Sequence, residues 1–125
     1  MIIGPNGNFP LGAPMAPQDR GDLYASISII KPLRLVVMNF GTTLSWLAIP
    51  PELALKHALM FRTAIESVFG KLSVDPRPFP FKVTANKEKR IVETDLCITV
   101  SLLAANPELF LVWADKLEAA ANELL

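Results

Sequence analysis

The thirteen residues from Thr43 to Leu55, TLSWLAIPPELAL, return 56 positions later as TVSLLAANPELFL, Thr99 to Leu111. Eight of the thirteen positions are identical. Such a recurrence has two readings: a duplicated β-β-α unit, or one strand-to-helix junction built twice because the physics asks for the same residues. Capping favours the second. Pro51 and Pro107 suit the first helical position, where a missing N–H costs nothing. Asn106 is a good N-cap, and Glu52 and Glu108 meet the positive end of a helix dipole. The preceding Thr-x-Ser-x-Leu-Ala is less obliged to recur, although strand alternation favours it. Past Leu55 the agreement thins to Ala58/Ala114 and Ala64/Ala120. Under both readings a strand hands over to a helix twice within 125 residues.

The flanking sequence fills in the units. LYASISII, from Leu23, alternates Ile27 and Ile29 against Ser26 and Ser28, a half-buried strand. Lys31-Pro32 breaks it. LRLVVMNF follows, apolar on both sides from Leu35 to Met38, which suits a central strand. Gly41 allows a bulge, after which TTLSWLAI continues extended. Ala54, Ala58, Phe61, Ile65 and Val68 form one helical stripe over 51–69, and Gly70 is a natural stop. DPRPFP, from Asp75, reads as a rigid linker. FKVTA, from Phe81, is a short strand and NKEKR a polar turn. IVETDLCITVSLLA is a long strand, with Val92, Leu96, Ile98, Val100 and Leu102 expected mostly on one side and Glu93, Asp95, Thr99 and Ser101 on the other. Phe110, Trp113, Leu117, Ala121 and Leu124 stripe a last helix from Pro107 onward.

The expected fold class is therefore α+β. Two β-β-α-like halves, a pseudo-repeat over 23–70 and 79–125, form an antiparallel or mixed sheet with two helices packed on one face. This single domain, 23–125, follows an extended Pro/Gly-rich arm over 1–22. Four prolines and four glycines oppose regular structure in the arm, yet Ile2, Ile3, Phe9, Leu11 and Met15 are too apolar for a free tail. These five are the candidate assembly residues, an arm that lies on something.

Composition narrows the function. Apolar residues make up 51% of the chain and charged ones 19%, below the usual quarter. That surplus of apolar surface points to a homo-oligomer or a protein partner. Twelve basic residues balance twelve acidic ones, which counts against a general electrostatic hold on nucleic acid or an acidic membrane. The single cysteine, Cys97, excludes an intramolecular disulfide, and no stretch has a spanning helix's length or a secretory signal's layout. The expected setting is the cytoplasm.

No catalytic set, cofactor motif or metal-ligand spacing stands out, so the expectation is no catalytic residues, no cofactor and no metal. The lone His57 falls near a helical apolar stripe and reads as packing. Cys97 is a small strand residue or a nucleophile, and a Cys-His pair would need His57 to reach the sheet. Glu93 and Asp95, two apart on one strand face, could bias each other's ionisation or hold a hard cation, but read first as a solvated face, with Lys82 across from them. GPNGN lacks the Gly-Lys-Ser/Thr ending of a phosphate loop. The RGD at Arg20–Asp22 is a three-letter match that chance supplies. Lys82, Lys87, Lys89 and Arg90, beside Phe79 and Phe81, are the candidate nucleic-acid residues, since basic groups beside aromatics on a sheet grip single strands. Lys71 and Arg77 add charge nearby.

Two resemblances bear on these readings. LSWLAIPPELALKHALMFRTAIESVFG, about a fifth of the chain, resembles the strand-to-helix segment of small bacteriophage- and prophage-encoded proteins, in which Trp ends a strand and Pro opens a helix. It implies a setting, host cytoplasm or virion, and no activity. In outline, paired β-rich units each closed by a helix are similar to the PUR-repeat and Whirly-type single-stranded nucleic-acid binders, without a sequence motif of either. The leading expectation is thus a non-catalytic self-assembling or protein-binding module, a phage accessory or structural protein. The alternatives are a single-stranded nucleic-acid binder and a small enzyme acting through Glu93, Asp95 or Cys97.

Overall fold

The Ser-Ile-Ser-Ile-Ile alternation of residues 26–30 does what its period requires: Ile27 and Ile29 are fully buried on the core side of a sheet. A computed structural model describes residues 8–10 (backbone only), 26–73 and 79–125. Its strands are β1 (Asn8–Pro10), β2 (Ser26–Ile30), β3 (Leu35–Ile49), β4 (Lys82–Asn86) and β5 (Ile91–Ala105). Helix α1 (Pro51–Phe69) follows β3, and α2 (Pro107–Leu124) follows β5. The strand order is β1-β2-β3-β5-β4, with every neighbouring pair antiparallel. The fold is α+β, with both helices on one face. Of the assembly residues, Ile2, Ile3, Leu11 and Met15 lie outside the described residues, as do Arg20–Asp22 and Arg77; the backbone of Phe9 pairs with Ile27.

The two halves coincide element by element at the 56-residue offset. β2 and β4 match at both ends, as do β3 and β5, and α1 and α2 start at Pro51 and Pro107. Pairing obeys the same rule. The pairs Val36↔Ala105 and Asn39↔Leu102 reappear as Ile49↔Val92 and Trp46↔Asp95, while Leu44↔Val100 maps onto itself. A pseudo-two-fold axis therefore crosses the sheet at Leu44 and Val100. Across 26–69 and 82–125, 13 of 44 positions are identical, among them Lys31/Lys87, Arg34/Arg90 and Val36/Val92.

One expectation fails at the axis. β3 advances five residues between its pairings at Asn39 and Leu44 while β5 advances two, and the mirror-image shift follows in β5. Each long strand thus carries a three-residue bulge, and an odd insertion exchanges the two faces of a strand. Val92, Thr94 and Leu96 are buried before the bulge in β5, but Leu103 after it. Ile98 and Leu102 are consequently half-exposed and do not share the side of Val92 and Leu96. The cause is local. Cys97 has φ +62° and Gly41, its counterpart, φ +75°. Each donates its N–H to the side chain two residues back, Asp95 and Asn39, at 2.9 Å.

The helices close the core. Phe61 of α1 lies 5.5 Å from Phe110 and 5.4 Å from Trp113 of α2, ring centre to ring centre. Arg62 bridges from α1 to Asp115 and Glu118 at 2.7 and 2.8 Å. Burial works to lower the Arg62 pKa, but the hydrogen bonds to these two carboxylates outweigh it and raise it. As the spacing predicts, Asn106 caps α2, its side chain accepting the Leu109 N–H at 2.9 Å.

Candidate functional site

The helices cover the face carrying Val36, Met38, Val92 and Leu103; on the opposite face Ser28, Val37 and Ala48 are buried too, and the exposed part, called here the open face, is the middle of β3 and β5. On that open face the pseudo-axis relates Trp46 to Leu102, the residues that alternate with buried Ile49 and Leu103. Trp46 is 51% exposed and Leu102 49%, with half-buried Leu44 and Val100 between them. Ile98, on the β5 bulge beside them, is 49% exposed. From Gly41 to Trp46 and from Cys97 to Leu102 no residue is buried. The centre of the two longest strands is thus the least covered part of the sheet.

The surroundings of this apolar centre differ between the halves. Toward β4, cross-strand rows run Lys82–Asp95–Trp46 and Thr84–Glu93–Ala48, so charges of both signs flank the Trp. Toward β2 the equivalent rows are Ser26–Asn39–Leu102 and Ser28–Val37–Ala104. Here Ser26, Ser28, Asn39, Val37 and Leu102 line a concavity of about 460 Å³, with no charged group among the described residues that line it.

The basic residues and their aromatics do not form one surface. Phe81 is 7% exposed and packs edge-on to Trp113 at 5.2 Å, on the helix side. Phe79 lies against Phe81, with the Lys116 ammonium 5.6 Å from its ring. Lys82 points with the open face, opposite Asp95. Lys87 and Lys89 are exposed on the β4–β5 turn. Arg90, at φ +54°, is turned back onto Glu52 at 2.8 Å.

That last contact exposes a feature that sequence reading missed. Arg34, at φ +51°, holds Glu108 at 2.6 Å just as Arg90 holds Glu52, each arginine reaching the first turn of the other half's helix. The hydrogen bonds from Arg90 keep the Glu52 carboxyl below its ordinary pKa, and those to Glu108 and Glu52 raise the guanidiniums of Arg34 and Arg90. The glutamates of the Pro-Glu-Leu repeats therefore fasten the halves together as well as facing helix dipoles. Their partners lie 74 and 38 residues away, and only the recurrence of Lys-x-x-Arg at Lys31 and Lys87 hints at them.

The remaining chemical candidates stay apart. His57 is buried on α1, its ring 6.3 Å from Phe61, while Cys97 is exposed on the bulge with its Sγ 3.7 Å from the Asp95 carbonyl. Glu93 accepts from the Asn86 amide at 3.3 Å, and Asp95 is occupied by the Cys97 N–H. Among the described residues no group of three or more His, Cys, Asp or Glu is placed to hold a metal ion, and no helix is long and apolar enough to cross a membrane. No family model, no curated protein and no solved structure matches this chain.

Proposed function

We propose that this protein is a non-catalytic module that self-assembles and binds protein through the open face of its sheet, as an accessory or structural component encoded by a phage. The observation that carries this reading is the pair Trp46 and Leu102, each about half exposed at the middle of the sheet face away from the helices. A large aromatic beside aliphatic neighbours, rimmed by Ser26, Asn39, Lys82 and Asp95, has the composition of an interface centre and rim. Balanced net charge supports association of like chains, since no net repulsion opposes it. The likeness of residues 44–70 to phage-encoded proteins supports the setting, in host cytoplasm or virion. Light scattering after size exclusion tests the reading. The full chain is expected to run above its 13.7 kDa monomer mass at micromolar concentration, and Trp46→Ser with Leu102→Ser to lower that mass. A wild type that stays monomeric through that range defeats it.

A further inference from the structure

We infer that β4 pairs with β4 of a second copy, joining two sheets edge to edge at a surface separate from the open face. The pseudo-axis makes β4 the counterpart of β2, and the outer edge of β2 is filled: Asn8, Phe9 and Pro10 pair antiparallel with Ser28, Ile27 and Ser26. The equivalent positions Thr84, Val83 and Lys82 pair, among the described residues, only with β5. One edge of this sheet is thus completed by an added strand, and among the described residues the equivalent edge on β4 carries none. An unpaired edge is a template for another strand. β4 is well suited to that use. Lys-Val-Thr-Ala-Asn contains neither Pro nor Gly, and its register with β5 runs without a bulge.

The second copy fits by register and charge. In an antiparallel pairing centred on Thr84, Thr84 faces itself, Val83 faces the partner's Ala85, and Lys82 faces the partner's Asn86. No like charges oppose each other, and the Lys82 ammonium comes beside Glu93, which Asn86 already holds at 3.3 Å. On the helix side, half-buried Val83 and Ala85, packed on the core at its margin, gain each other as neighbours across the axis. The pairing is isologous and closes on itself as a two-fold dimer, leaving both open faces on the same side of one continuous sheet.

The test is a cross-link on the axis. In full-length protein carrying Cys97→Ser, Thr84→Cys is expected to form a disulfide-linked dimer under mild oxidation about tenfold faster than Lys87→Cys on the adjoining turn, because pairing replaces a chance encounter with a held neighbour. Thr84→Lys, which sets two like charges face to face, is expected to lower the assembled mass. The Thr84→Cys rate should persist when Trp46→Ser and Leu102→Ser are added, which separates this edge from the open face. Equal cross-linking at 84 and 87, or a Thr84→Cys dimer that vanishes with the open-face changes, overturns the proposal, while assembly through the open face alone would survive the first of these results.

Discussion

The first half of the protein, residues 26–69, and the second, 82–125, share a backbone and differ in what they put on it. Some of the shared positions are those where the chain must turn, cap or cross. They include the left-handed Arg34 and Arg90, the left-handed backbone of Gly41 and Cys97, the Pro-Glu-Leu helix starts, and Ala58/Ala114 and Ala64/Ala120 along the helices. Positions that differ include His57 against Trp113 in the core, and Ser26 against Lys82 and Trp46 against Leu102 on the open face. Backbone geometry and helix starts account for part of the recurrence, and core residues such as Val36/Val92 and Leu47/Leu103 recur beside core pairs that do not. The open face diverged most in charge, so its symmetry is one of shape.

The core gives the largest test of that contrast. Trp113 is 1% exposed, touches Phe61, Phe81 and Phe110, and donates its indole N–H to buried Thr94 at 3.3 Å. Thr94 is the counterpart of Met38, so the polar partner exists only in the half that carries Trp. Trp113→Ala is expected to cost roughly 3–5 kcal/mol, by cavity formation and by stranding the Thr94 hydroxyl. His57→Ala removes a smaller ring from the equivalent site and should cost about 1–3 kcal/mol. Urea unfolding of the two variants measures both. Equal losses would mean that the halves carry the core alike and would break the contrast.

The elements were readable because each rests on a local period or a local punctuation. Alternation marks β2, the stripe of Ala54, Ala58, Phe61 and Ile65 marks α1, and Gly70 at φ +74° ends that helix. What escaped depends on a backbone turn with no local signature or on a distant partner. Cys97 carries a φ that glycine usually supplies, so IVETDLCITVS reads as unbroken alternation while its faces exchange in the middle. The clue lies 56 residues earlier, where Asn39-Phe40-Gly41 shows what Asp95-Leu96-Cys97 becomes. Phe81 reads as a stacking surface beside lysines, but strand parity sends it to the helix side while Lys82 faces the other way. The packing of both helices on one face was legible from the two amphipathic stripes.

The bulge pair provides the next test, of intermediate size. At Gly41 a Cβ meets the strain of a left-handed backbone, so Gly41→Ala should destabilise by about 1–2 kcal/mol. At Cys97 the chain already bears that strain, relieved in part by the Asp95 carboxylate accepting its N–H. Cys97→Gly should therefore be neutral or stabilising by up to about 1 kcal/mol, the strain removed offsetting the extra freedom of the unfolded chain. Thermal unfolding of the two variants should show opposite or unequal shifts. A large loss from Cys97→Gly would show that the Cys side chain, and not the turn, holds the second bulge, and the two bulges would no longer be the same device.

The smallest effect belongs to the two Arg–Glu bridges, where the halves are most alike. All four residues stand at helix starts or strand entries, and exposed pairs of this kind contribute little singly. Their signature is in the pH and salt dependence. Arg90 depresses the Glu52 pKa in the folded chain, so the pair's contribution is fully present above the unfolded carboxylate range, and it is lost as pH falls through the lower folded value. A double-mutant cycle with Arg90→Met and Glu52→Gln should thus give a favourable coupling at about pH 7 that fades in acid and weakens as salt rises. The Arg34–Glu108 cycle should carry the same sign at about pH 7, because that bridge is the same contact viewed from the other side of the axis. A coupling that persists in acid would assign the contact to packing by the arginine stem, and a coupling confined to one bridge would show that the symmetry of the backbone does not extend to its fastenings.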